Sequence, residues 1–247
     1  QAYGDGLDTE EALARVDLDF EILQASFDRA VEDRFGALRR AMEGPEEQVS
    51  AREPEARLEQ LRALNDEYGG RFPVQLSLGH ALRAAGEIDA AQAAFEKAVT
   101  LAPMATGGSS PHVPLAEIAL ERGDRVRAIE HLEAHLEHDH RDIEAARQLA
   151  ALAEEAGDER RLQRAYELIL ELDPFDAVPH QALGRLALAR GDHALAVREF
   201  EVTLAAGPVD RVSAHVDLAE SYFLDGRSDA AKREVIAALE IAPTYER

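Results

Sequence analysis

Five glycines set the period of this chain. Gly86, Gly123, Gly157, Gly191 and Gly226 are spaced by 37, 34, 34 and 35 residues, and their flanks fall into common columns. Eight residues before the glycines stand Leu78, Leu115, Leu149, Leu183 and Leu218, each followed by a small residue: Gly79, Ala116, Ala150, Gly184 and Ala219. Five after the glycines stand Ala91, Ala128, Leu162, Ala196 and Ala231; nine after, Phe95, Leu132, Tyr166, Phe200 and Val235. Twelve after come Ala98, His135, Ile169, Thr203 and Ala238; seventeen after, Pro103, His140, Pro174, Pro208 and Pro243. A unit of this length cannot bury its apolar face alone and must stack on its neighbours. Small residues let two helices approach, and the large residue nine after the glycine fills the space between pairs. The glycine permits a tight turn, Asp124, Asp158 and Asp192 suit the start of the next helix, and the proline ends it. Alanine, leucine, glutamate and arginine dominate and β-branched runs are absent, which points to an all-α chain.

These columns resemble the tetratricopeptide repeat, a helix-turn-helix unit of about 34 residues. The resemblance covers roughly residues 72–243. It implies a right-handed α-solenoid with repeats at about 72–105, 109–142, 143–176, 177–210 and 212–245. A further helix over 55–69, carrying Leu58, Leu61, Leu64 and Tyr68 on one face, precedes them. The sequence departs from the pattern locally. The large aromatic usual early in the first helix is replaced by Gln75, His112, Ala146, His180 and His215. The second unit departs most, with His135 for a small residue, His140 for proline, and extra residues expected at Ala105–Pro111.

Residues 1–43 read as an N-terminal helical segment, and GPEEQVSAREP at 44–54 as a linker into the solenoid at 55–247. Phe20, Leu23, Phe27, Val31, Phe35 and Leu38 share one helical face there. The run AYGDGLDTEEALARV followed by FDRAVEDRFGAL resembles the helical tail that closes gluzincin-type metallopeptidase domains. That resemblance implies a zinc peptidase domain upstream, with the solenoid positioning its substrates or partners. It places no active site in these residues, which contain no HExxH. Gln1 in place of methionine, and the lack of a polar cap after Pro243, lead us to expect a piece of a longer protein. The open C-terminal end is also a candidate for self-association.

With 49 acidic and 27 basic residues, the chain carries a formal charge of −22. That surface argues against nucleic-acid and anionic-membrane partners. Cysteine is absent, which excludes disulfides and thiolate-held zinc. No apolar run approaches the roughly 20 residues of a membrane span. We expect a soluble protein, cytoplasmic or periplasmic, without a cofactor. No nucleophile-elbow or phosphate-loop pattern occurs, so no catalytic residue is expected.

Among candidate sites, His131 and His135 in EHLEAHLEHDH stand four apart on a helix, a spacing that can chelate zinc or nickel. The competing reading puts His131 and His138 in solvent and His135 in the inter-helix seam. His112, His180 and His215 share one column, which favours a repeated packing task. In the tetratricopeptide fold the first helix of each pair lines a groove. Ten, six and three residues before each glycine then point into it. The expected partner-binding residues are Leu76, His80, Arg83, Glu117, Leu120, Arg147, Arg185, Leu188, Glu220 and Phe223. Arginine can fork onto a partner carboxylate and the apolar residues can take leucine-like anchors. A protein or peptide scaffold is the leading expectation. Reversing Arg147 and Arg185 to glutamate should then weaken binding without altering the melting temperature.

Overall fold

The structure, a computed structural model, describes residues 19–43, 49 and 51–243. It is all-α among those residues and divides between Ala105 and Thr106 into two compact units. Unit 1 contains α1 (Phe20–Met42), α2 (Pro54–Tyr68), α3 (Phe72–Ala84) and α4 (Ile88–Leu101). Unit 2 opens with a short 3-10 turn at Gly107–Ser109. Four helix pairs follow: α5 (His112–Glu121) with α6 (Arg125–His138), α7 (Ile143–Ala156) with α8 (Glu159–Leu172), α9 (Ala177–Ala189) with α10 (His193–Ala206), and α11 (Arg211–Leu224) with α12 (Ser228–Ile241). The division falls inside the expected repeat run, at the loop holding the extra residues. The linker expected at 44–54 lies largely outside the described residues, and Pro54 already belongs to α2.

The turns are built alike. Gly86 has φ of +79°, a left-handed backbone that side chains resist. Its N–H donates to Arg83 carbonyl, and the N–H of Glu87 donates back to Leu82. This pair of bonds closes the helix end. After Gly123, Gly157 and Gly191 the next residue is aspartate, which serves both helices. The N–H of Asp124 bonds Ala119 carbonyl while its carboxylate accepts from Arg127 N–H, capping α6. Asp158 and Asp192 cap α8 and α10 in the same way. A further column caps first helices: Asp142, Asp176 and Asp210, 34 residues apart, accept from the opening turns of α7, α9 and α11. Second helices end two residues before Pro103, Pro174, Pro208 and Pro243, as expected.

Side chains of the glycine-anchored columns form the core. Phe95, Leu132, Tyr166 and Phe200 are buried, and Phe95 and Phe200 lie over a glycine in the first helix of their own pair. A Cβ on Gly79 would lie 2.6 Å from Phe95 Cε1, and one on Gly184 2.8 Å from Phe200 Cε1. The glycines therefore stand where the facing residue is phenylalanine, and alanine where it is leucine, tyrosine or valine. In unit 2 the core has two parts. One joins residues from Ala116 to Ile169, the other Ala187, Ala196, Val197, Phe200 and Leu218. In unit 1, α1 touches α3 and α4, and Arg71 bonds Arg40 carbonyl and the Glu43 carboxylate. The α1 stripe from Phe20 to Leu38 stays 39–62% exposed.

Candidate partner-binding faces

In unit 1 the expected groove residues are partly absorbed by packing. Leu76 lies against Phe72, Ala98 and Ala102. The exposed His80 sets its ring edge-on to Phe95, with centroids 5.0 Å apart. Arg83 is half-exposed.

In unit 2 the first-helix row is anchored by ion pairs. Arg147 on α7 meets Asp176, the cap of α9, at 2.6 Å. Arg185 on α9 meets Asp217 on α11 through Nη2 and Nε, at 3.1 and 3.3 Å, and Gln181 joins at 3.3 Å. The Asp217 side chain is only 2% exposed. Each arginine thus ties one first helix to the next, a task the sequence reading did not foresee. The Asp176 partner had a visible signal in the aspartate column. Asp217 had none, since Ser77, Pro114, Gln148 and Ala182 hold its equivalent positions. Charge reversal at Arg147 and Arg185 therefore tests stability as well as binding, contrary to expectation. What the row presents outward is mixed: Leu120 at 36% and Phe223 at 67% exposure stand beside the exposed Glu220 and the partly exposed Arg147 and Arg185, with Glu117 and Leu188 half-buried.

The histidine column is a set of polar ties. His180 Nδ1 donates to Glu199 at 2.7 Å, and His215 Nδ1 to Glu234 at 2.8 Å. His112 and His131 share a bond between Nδ1 atoms at 3.2 Å, one ring donating and the other accepting. In every case the partner stands nineteen residues later on the second helix. Where the column holds Ala146 the partner position is Ala165, and the pair is simply packed. Burial, and then the neighbouring His131, His135 and His138, lower His112 from 6.5 to about 4.

His131 therefore does not face solvent freely. His135 sits in the seam as expected, donating from Nε2 to Asp142 and accepting at Nδ1 from the Ser110 hydroxyl, both at 2.9 Å. With both nitrogens engaged, His135 is not available to chelate alongside His131. Among the described residues no three His, Asp or Glu side chains gather where they could hold one metal ion. No described helix is long and apolar enough to cross a membrane.

Sequence models of the tetratricopeptide repeat match residues 72–103, 109–134, 177–201 and 212–235. These segments fall on α3–α4, α5–α6, α9–α10 and α11–α12. The chain carries tetratricopeptide repeats. Among solved structures, YrrB, described as a tetratricopeptide-repeat protein with an unusual peptide-binding site, is similar over 76% of this chain and 95% of its own, at 14% identity and a TM-score of 0.53. MamA is similar over 71% of this chain and 96% of its own, at 21% identity and a TM-score of 0.48. A tetratricopeptide-repeat protein from Parabacteroides merdae is similar over 90% and 81%, at 16% identity and a TM-score of 0.46. No curated protein sequence matches the chain. The tetratricopeptide repeats thus account for the glycine-anchored columns; the metallopeptidase resemblance has no counterpart among these matches and rests mainly on residues outside those described.

Proposed function

We propose that the chain is a protein-interaction scaffold that docks a peptide or partner domain on the first-helix face of unit 2. The observation that carries this reading is the exposed aromatic Phe223, which shares the first-helix row with Leu120 and with arginines fixed by ion pairs. A large apolar side chain held in solvent on a rigid face is the usual anchor of an interface. The peptide-binding description of YrrB, which has the same fold, supports the reading. The test is a random-peptide display library selected on the whole chain. Selected peptides should bind Leu120→Ser/Phe223→Ser at least tenfold more weakly, with its melting temperature unchanged. Peptides that bind the variant equally well would remove this face from the interaction.

Two other readings each have an observation behind them. An apolar cleft of about 800 Å³, lined by Val216, Phe223, Val235 and Ile236, favours self-association through α11–α12. Light scattering that reports a monomer at every concentration excludes it. The exposed stripe of α1 favours an accessory region beside an upstream zinc peptidase domain. A reading frame with an HExxH helix shortly before Gln1 supports this, and a natural start at Gln1 removes it.

A further inference from the structure

A second surface stands out on the opposite side of α9. The leucine eight before each glycine is buried at Leu78, Leu115, Leu149 and Leu218, at 2–7% exposure. Leu183 alone among the five is half-exposed. It opens onto a cleft of about 680 Å³ between the second helices α8 and α10. Leu170, Leu183, Leu186 and Leu195 form its apolar floor and wall, and Glu167 and Glu171 stand on its α8 rim. This is also where the core of unit 2 divides into its two parts.

The same place one repeat earlier explains why this one is open. Between α6 and α8 the cleft is about 250 Å³. There Arg161 reaches back to Glu133, with bonds of 2.9 and 3.2 Å, and draws the edge shut. The residues 34 positions later are Leu195 and Glu167. Leucine replaces the bridging arginine, and Glu167 accepts from Gln163 of its own helix, at 2.9 Å. The cleft is apolar inside and carries Glu167 and Glu171 on its α8 edge. Arg190, just past the end of α9, also lines it, but it is engaged with Gln163 at 2.9 Å and Glu159 at 3.3 Å, and no arginine stands at the position that Arg161 holds one repeat earlier.

We propose that this cleft docks a basic amphipathic helical segment of another protein. Leucine-like side chains spaced one turn apart would complete the packing around Leu183 and Leu186. Lysines or arginines beside them would take the place that Arg161 fills one repeat earlier, against Glu167 and Glu171. The volume is within the range of about 300–1,000 Å³ usual for ligand clefts. A second copy is a poor occupant, since each chain carries a net charge of −22 and the rim is acidic. This surface is separate from the first-helix row, because Arg185 and Leu188 leave α9 on the side away from Leu183 and Leu186.

The test uses the whole chain and a synthetic four-turn peptide with leucines on one helical face and lysines elsewhere. Fluorescence anisotropy compares it with a scrambled peptide of identical composition. The ordered peptide should bind at least tenfold more tightly than the scrambled one. Leu195→Arg, which copies the closed cleft, should remove that difference. Glu167→Gln/Glu171→Gln, on an exposed rim, should weaken binding at least threefold and flatten its salt dependence, which keeps the test decisive if Leu195→Arg folds poorly. Leu188→Ser, on the first-helix row, should leave the affinity unchanged. Equal binding of ordered and scrambled peptides, or full affinity in the Glu167/Glu171 variant, overturns the proposal and leaves the first-helix reading untouched.

Discussion

Gly184 and Phe200 allow the packing rule to be tested by a change of sign. An ideal Cβ on Gly184 would lie 2.8 Å from both Cε1 and Cζ of Phe200 and 3.0 Å from Cδ1. Phe200 is fully buried, so the ring cannot swing aside. Overpacking of this kind costs about 1–3 kcal/mol. Against it stands the helix preference for alanine over glycine, about 1 kcal/mol in a helix interior. Gly184→Ala should therefore destabilise the protein by about 1 kcal/mol. Phe200→Leu alone should cost about 1–2 kcal/mol through lost ring volume. In that background the clash is gone, and Gly184→Ala should stabilise by up to about 1 kcal/mol. The combination reproduces the pair Ala116 and Leu132 already present in the second repeat. The coupling energy is then about 2 kcal/mol, within the range expected for residues in contact. Urea unfolding followed by far-UV circular dichroism measures it, provided the slope of each transition is unchanged. Equal destabilisation by Gly184→Ala in both backgrounds would refute the reasoning.

Two further outcomes follow from polar groups. His112 titrates near 6.5 when unfolded and at about 4 when folded, so the unfolded chain binds the extra proton first. Stability should fall as pH drops from about 6.5 to about 4 and level off below, by up to about 3 kcal/mol. His112→Gln, which copies Gln75, should flatten that limb of a pH series of thermal melts. Arg185→Ala withdraws the guanidinium from the nearly buried carboxylate of Asp217 and should cost about 1–3 kcal/mol by urea unfolding. Asp217→Ala made together with it should recover part of that loss, and a purely additive result would show the pair to be uncoupled.

How much was legible in the sequence depended on whether a residue's task recurs. Leu78 and its equivalents, the turn glycines, the capping Asp124, Asp158 and Asp192, and the terminating prolines solve the same local problem at a fixed spacing. Their columns therefore specify helix pairs without any knowledge of the fold. The turn glycines Gly191 and Gly226 lie between the two helices of the pairs α9–α10 and α11–α12. Inter-repeat bridges do not recur in this way. Asp217 is used once, so no column pointed to it, and Arg185 looked like a free groove cation. The ring partners of His112, His180 and His215 stand at a constant nineteen-residue offset, which the sequence did contain. The offset was invisible to a search along single columns, because the information lies in the pairing of two columns.

The second repeat carries that lesson furthest. His135, His140 and the extra residues before Pro111 look like separate losses of the repeat pattern. The structure joins two of these features. Asp139 accepts from Gly107 N–H at 2.9 Å, Ser110 and Asp142 engage the two nitrogens of His135, and His112 meets His131. A longer loop has backbone groups and a buried hydroxyl that need partners, and His135 of α6 and Asp139 just past its end supply them. His135→Ala would restore the small residue found at Ala98 and Ala238, and by the columns alone it should stabilise. Here it would leave the buried Ser110 hydroxyl without its acceptor and a void in the seam. The expected cost is about 2–4 kcal/mol, with faster hydrogen exchange at Gly107 and Ser110. A variant as stable as the parent, with exchange unchanged, would mean that the loop holds its shape without α6 and that His135 is a chance substitution after all.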